Sequence, residues 1–115
     1  MRTEQSITVR WTQEGFHRWP EASGKREYLA SRHRHLFHYE LTVTVHHGDR
    51  EIEFHDLLDL GKYAIPEMEL GRTSCEELGE RILAQVESTY PNRPKYSITV
   101  WEDGEVGATT TWIND

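Results

Sequence analysis

Apolar and polar residues alternate along several stretches of the chain, and the alternation predicts strands. Ile7, Val9 and Trp11 interleave with Ser6, Thr8 and Arg10. Phe37, Tyr39, Leu41, Val43 and Val45 interleave with His38, Glu40, Thr42 and Thr44. Tyr96, Ile98 and Val100 form a third row, and Val106, Ala108, Thr110 and Trp112 a fourth, joined across the turn signal Asp103-Gly104. A shorter pair, Ile52 and Phe54, follows the turn His47-Gly48-Asp49 and predicts a strand returning along the second one as a hairpin. Gly15 to Arg32, with Pro20, Gly24 and several charges, reads as a loop.

Helical spacing replaces the alternation in the middle of the chain. Leu57, Leu60, Gly61 and Ala64 fit a short amphipathic helix that Pro66 ends. A second helix runs from about Ser74 to Ser88, with Cys75, Leu78, Ile82, Leu83 and Val86 on one stripe. Thr73 or Ser74 can cap it, with Glu76 or Glu77 at capping-box distance. The run Tyr90-Pro91-Asn92-Arg93-Pro94 breaks it. Hairpins on either side of two helices imply an α+β fold, an antiparallel sheet with both helices on one face. No composition shift divides the chain, so residues 1–115 are expected to form a single domain.

Charge narrows the function. The 13 Lys and Arg stand against 20 Asp and Glu, a net charge of −7 with the seven histidines neutral. An acidic chain without a clustered basic surface is a poor nucleic-acid partner. No apolar run reaches membrane-span length, and the first residues lack a secretion signal. With one cysteine, Cys75, there is no internal disulfide, and a cytoplasmic, reducing location is expected.

Strand parity makes three histidines informative. Extending the Phe37–Val45 row backward places His35 and His33 on the same face, two residues apart. His-x-His on a strand presents two nitrogen ligands to one metal, although in a histidine-rich chain it equally fits surface decoration. His17 shares the parity of Ile7, Val9 and Trp11 and can close a three-histidine set, the pattern of a catalytic zinc with one open position. His38, His46, His47 and His55 fall on the polar face or at strand ends. Glu102 extends the apolar row of Tyr96, Ile98 and Val100. It lies either on the exposed rim of the sheet or at a site where two acceptor oxygens meet the paired donors of a purine- or pterin-type ring. Cys75 lies on the apolar stripe of its helix and reads as a buried thiol rather than a nucleophile.

Taken in order, Phe16-His17-Arg18-Trp19, His33-Arg34-His35, Glu53-Phe54, Ser74-Cys75-Glu76-Glu77-Leu78 and Val100-Trp101-Glu102 resemble the landmarks of the 6-pyruvoyl- and 6-carboxy-tetrahydropterin synthase family over nearly the whole chain. The resemblance implies the tunnelling fold, a four-stranded antiparallel sheet with two helices on one side, assembled into a barrel-like homo-oligomer, in the family a hexamer. It implies Zn2+ as cofactor, held by His17, His33 and His35. It also implies a pterin or purine-like ligand anchored by Glu102, with Ser74 and Glu76 in the place of the family's Thr-x-Glu. The implied activity is zinc-assisted triphosphate elimination from dihydroneopterin triphosphate, in pterin or deazapurine (queuosine-type) biosynthesis.

The chain also departs from the family. Tyr28 to Arg32 holds no counterpart of the family's cysteine, and Ile65 to Arg72 holds no Asp-His pair. Arg34 replaces the glycine between the histidines, and Leu36 the following asparagine. His55-Asp56 and Tyr28 are the residue types able to substitute for the missing proton-transfer groups. These departures leave open a second reading, a catalytically deficient pterin- or purine-binding protein on the same fold.

Overall fold

The computed structural model describes residues 1–115. Five strands form one mixed sheet in the order β3-β1-β2-β4-β5: β1 is Gln5–His17, β2 His33–Val45, β3 Glu69–Gly71, β4 Lys95–Glu102 and β5 Val106–Ile113. Four of the strands pair antiparallel, and β3 adds a short parallel edge beside Phe16 and His17 of β1. Two α-helices, α1 (Phe54–Ala64) and α2 (Cys75–Thr89), cover one face. The α+β architecture therefore stands, with one strand more than the four that the resemblance implies. None of the helices is long and apolar enough to cross a membrane.

Alternation explains which face is covered. Val9, Trp11, Phe37, Tyr39, Leu41, Val43, Tyr96, Ile98 and Val100 point to the helices and form one core with Leu57, Leu78, Ile82, Leu83 and Val86. The opposite face carries hydroxyl pairs instead, Thr8 with Thr42 and Thr99 with Thr109. Helix α2 begins where a capping box closes it: the Ser74 hydroxyl accepts from the Glu77 N–H, and the Glu77 carboxylate accepts from the Ser74 N–H.

The structure corrects two local expectations and adds one strand. Ile52 and Phe54 do not form a strand. Ile52 is buried, Phe54 opens α1, and Glu53 caps that helix by accepting from the Asp56 N–H. The reason is topological: β2 is central, with β1 on one side and β4 on the other, so no edge remains for a returning strand. The Gly15–Arg32 segment is more ordered than a loop, since β1 continues to His17 and Gly24–Ala30 forms a 3₁₀ helix. Strand β3, in the connection between the helices, carries no alternation long enough to be seen.

Helix α1 packs its Gly61 directly on the sheet. A Cβ at Gly61 would lie 2.4 Å from the Trp11 ring, which is itself stacked on Tyr39 at 5.0 Å. Alanine in place of a helix glycine is worth about 1 kcal/mol in propensity, whereas overpacking a core costs about 1–3 kcal/mol. Gly61→Ala is therefore expected to destabilise the protein. Urea unfolding should show a lower midpoint, and an unchanged or higher one would refute the packing argument.

Candidate metal centre

The three histidines singled out by parity meet at one end of the sheet. His17 and His33 are direct cross-strand partners at the last position of the β1–β2 ladder, and His35 follows two residues along β2. One ring nitrogen from each lies within 4.8 Å of the others. Two nitrogens on one tetrahedral zinc are about 3.3–3.4 Å apart, so an inward movement of the rings by about an ångström separates the set from a ligand cage. Phe37 supports the group from the core side, edge-on to His17 at 5.4 Å and to His35 at 5.6 Å.

Each imidazole is oriented through its Nδ1. His17 Nδ1 donates to the Thr73 carbonyl at 3.0 Å, and His33 Nδ1 to the Ser31 carbonyl at 2.8 Å. His35 Nδ1 donates to the Asp103 carboxylate at 2.7 Å. A carbonyl oxygen carries no hydrogen, and Asp103 is held below the ordinary carboxylate range by its bond to His35, so in each case the ring nitrogen is the donor. Nε2 is left as the ligating atom in all three rings. The Nε2 of His35 is buried without any hydrogen-bond partner. An orphaned acceptor beside two similarly oriented imidazoles fits a metal ion.

Glu102 stands over the group. One carboxylate oxygen lies 3.2 Å from His17 Nε2, and the other 3.7 Å from His35 Nε2. The hydrogen bond to His17 leads the causes that hold Glu102 below its ordinary range, against the opposing effect of burial. Burial lowers the His17 pKa, but its bonds to Glu102 and Thr73 and the carboxylate charge outweigh that, and the net shift is upward. Proton and metal thus compete for the same nitrogen. Cys75 donates its S–H toward Glu102 at 3.6 Å. Burial, with the Glu102 charge behind it, pushes this thiol up to about 12, so it is neutral near pH 7 and serves as a donor.

A cavity of about 370 Å³ opens beside the cluster. His17, His33 and Glu102 line it, together with Arg18, Trp19 and the first residues of α2, Ser74, Cys75 and Glu76. All three non-metal positions expected from the sequence, Glu102, Ser74 and Glu76, therefore border one space. One lone pair of the Ser74 hydroxyl is used in the helix cap, leaving its hydrogen to donate. His55 and Asp56 lie elsewhere, at the start of α1, where His55 bonds Glu53. Tyr28 is largely exposed on the 3₁₀ helix and does not border the cavity. Sequence reasoning missed the orienting groups Thr73, Ser31 and Asp103. Two are backbone carbonyls, which no residue type signals, and Asp103 reads locally as a turn residue.

Solved structures of known function share this architecture. The fold is that of the 6-pyruvoyl tetrahydropterin synthases. The Plasmodium falciparum enzyme superposes with a TM-score of 0.75 at 15% identity, over 98% of this chain and 100% of that one. The Plasmodium vivax synthase gives 0.74 at 14% identity, with coverage of 98% and 100%. The Caenorhabditis elegans synthase gives 0.66 at 11%, with 98% and 97% covered. No family model matches the sequence, and no curated protein matches it by sequence. The likeness is thus one of fold.

Proposed function

We propose that the protein is a zinc-dependent, pterin-synthase-like lyase acting on dihydroneopterin triphosphate or a related pterin, in pterin or deazapurine biosynthesis. The observation that carries this reading is the common orientation of His17, His33 and His35, each donating through Nδ1, so that Nε2 is the nitrogen a metal would take, in His17 by displacing the proton shared with Glu102. Three imidazoles with an open fourth position are a catalytic zinc set, and zinc bound there would polarise substrate hydroxyls as a Lewis acid.

The chain's own groups divide the remaining work. Glu102, ionised and bordering the cavity, supplies two acceptor oxygens for the paired N–H donors of a pterin ring. Cys75 keeps that carboxylate turned toward the cavity by donating its S–H. Ser74 and Glu76, at the start of α2, border the same space and contact the ligand from the helix side. A homo-oligomer fits the sheet's open edges, since β1 is paired with β3 only at Phe16 and His17 and β5 has one neighbour. A cytoplasmic setting suits the free thiol.

One observation favours a second reading, a protein that binds a pterin or purine-like ligand without turning it over. The single thiol near the cluster is held neutral, and His55-Asp56 stands outside the cavity. Incubation with dihydroneopterin triphosphate followed by mass analysis separates the two. Loss of the triphosphate marks the lyase. Unchanged substrate that raises the melting temperature marks the binder. In either case Glu102→Ala should abolish the thermal shift, and a variant protected as well as wild type would dismiss Glu102 as the anchor.

A further inference from the structure

We infer that Asp103 is a positioning residue for the metal centre, holding His35 in the one tautomer and ring orientation that leave its Nε2 free for zinc. The inference rests on the zinc reading above and extends it to a residue outside the ligand set.

Two carboxylates flank His35, one at each ring nitrogen. Asp103 lies 2.7 Å from Nδ1, whereas Glu102 lies 3.7 Å from Nε2. A neutral imidazole carries one hydrogen, and the shorter contact claims it for Nδ1. Without Asp103, Glu102 is the remaining acceptor. The hydrogen then moves to Nε2 and removes the lone pair a metal needs. Backbone carbonyls, which can only accept, hold the Nδ1 hydrogens of His17 and His33, although Glu102 also lies 3.2 Å from His17 Nε2. Only His35 has a side chain as the partner of its Nδ1.

Asp103 is itself fixed so that it can do this. Its other oxygen accepts from the Leu36 N–H at 2.8 Å, and its own N–H donates to the Leu36 carbonyl at 2.8 Å. The residue sits in the left-handed region, at φ 55, in the tight turn closed by Glu105 N–H to the Glu102 carbonyl. That turn therefore presents Glu102 to the cavity and Asp103 to the back of His35. Carboxylate partners of ligating histidines fix the ring and raise its basicity, and their loss costs roughly 10- to 100-fold in metal affinity.

Asp103→Asn is the informative change. Asparagine tolerates the left-handed backbone, and its amide oxygen can still accept from Leu36, so the turn survives while the charge is lost. Zinc titration against a competing chelator should show an affinity about 10- to 100-fold weaker than wild type. The metal-free melting temperature should be unchanged, and the cobalt(II)-substituted protein should show an altered visible spectrum. Equal zinc affinity and an unchanged cobalt spectrum would overturn the role of Asp103 and leave the zinc centre standing. A metal-free protein destabilised as much as its zinc affinity falls would assign Asp103 to the turn alone and also overturn it. A wild type that binds neither ion would remove the zinc reading itself.

Discussion

Wild-type protein purified with zinc present will carry about one zinc per chain, and His33→Ala/His35→Ala will carry almost none. The expectation follows from ligand count. Deleting two of three imidazoles leaves His17 alone, with its Nε2 facing the Glu102 carboxylate. Stability should report the same event. An ion bound to the folded chain at about a thousand times its dissociation constant contributes about 4 kcal/mol, which for a domain of this size is roughly 15–20 °C. A chelator should lower the wild-type melting temperature by an amount of that order and leave the double variant unmoved. Metal analysis and thermal melts with and without chelator check both statements. A wild type that stays metal-free in zinc would end the argument for the centre.

Phe37→Ala should be the most damaging single change to couple core and site. The ring is 1% exposed, and its removal opens a cavity beside Gly15, Leu70 and the two histidine rings, at a cost of about 3–5 kcal/mol. Domains of this kind have roughly 5–15 kcal/mol in total, so the variant sits near the edge of folding. The same ring lies edge-on beneath His17 and His35, so its loss also frees two ligands to adopt other rotamers. Phe37→Leu, which keeps most of the volume, should stay folded in urea titrations yet bind zinc more weakly than wild type. If Phe37→Leu bound zinc as tightly, the ring would be core packing with no hold on the site.

The strands and helices that build the core were legible because burial imposes a period. Positions Val9 and Trp11, and Phe37 to Val43, repeat every two residues, while Leu78, Ile82, Leu83 and Val86 follow the helical turn. The same rule carried His33, His35 and His17 onto the core face, since a ligand on a strand obeys the parity of its neighbours. Glu102 was legible for that reason too, as an ionisable residue at the end of an apolar row. Where no period exists, reading failed. The three residues of β3 are too few to alternate, and Ile52 and Phe54 alternate without being a strand.

By itself, then, the sequence determined the α+β class, the faces of β1, β2, β4 and α2, and the placing of three histidines and Glu102 on the buried side. These are local properties, written in the spacing of residues along one element. Tertiary structure alone decided that β2 is central, which turned Ile52 and Phe54 away from the sheet and into the start of a helix. It also decided which nitrogen of each imidazole is free. That choice depends on Thr73, Ser31 and Asp103, and Asp103 stands 68 positions from the ring it holds. A hydrogen bond is a contact in space with no period along the chain, so only the folded register of β1, β2 and β4 brings donor and acceptor together.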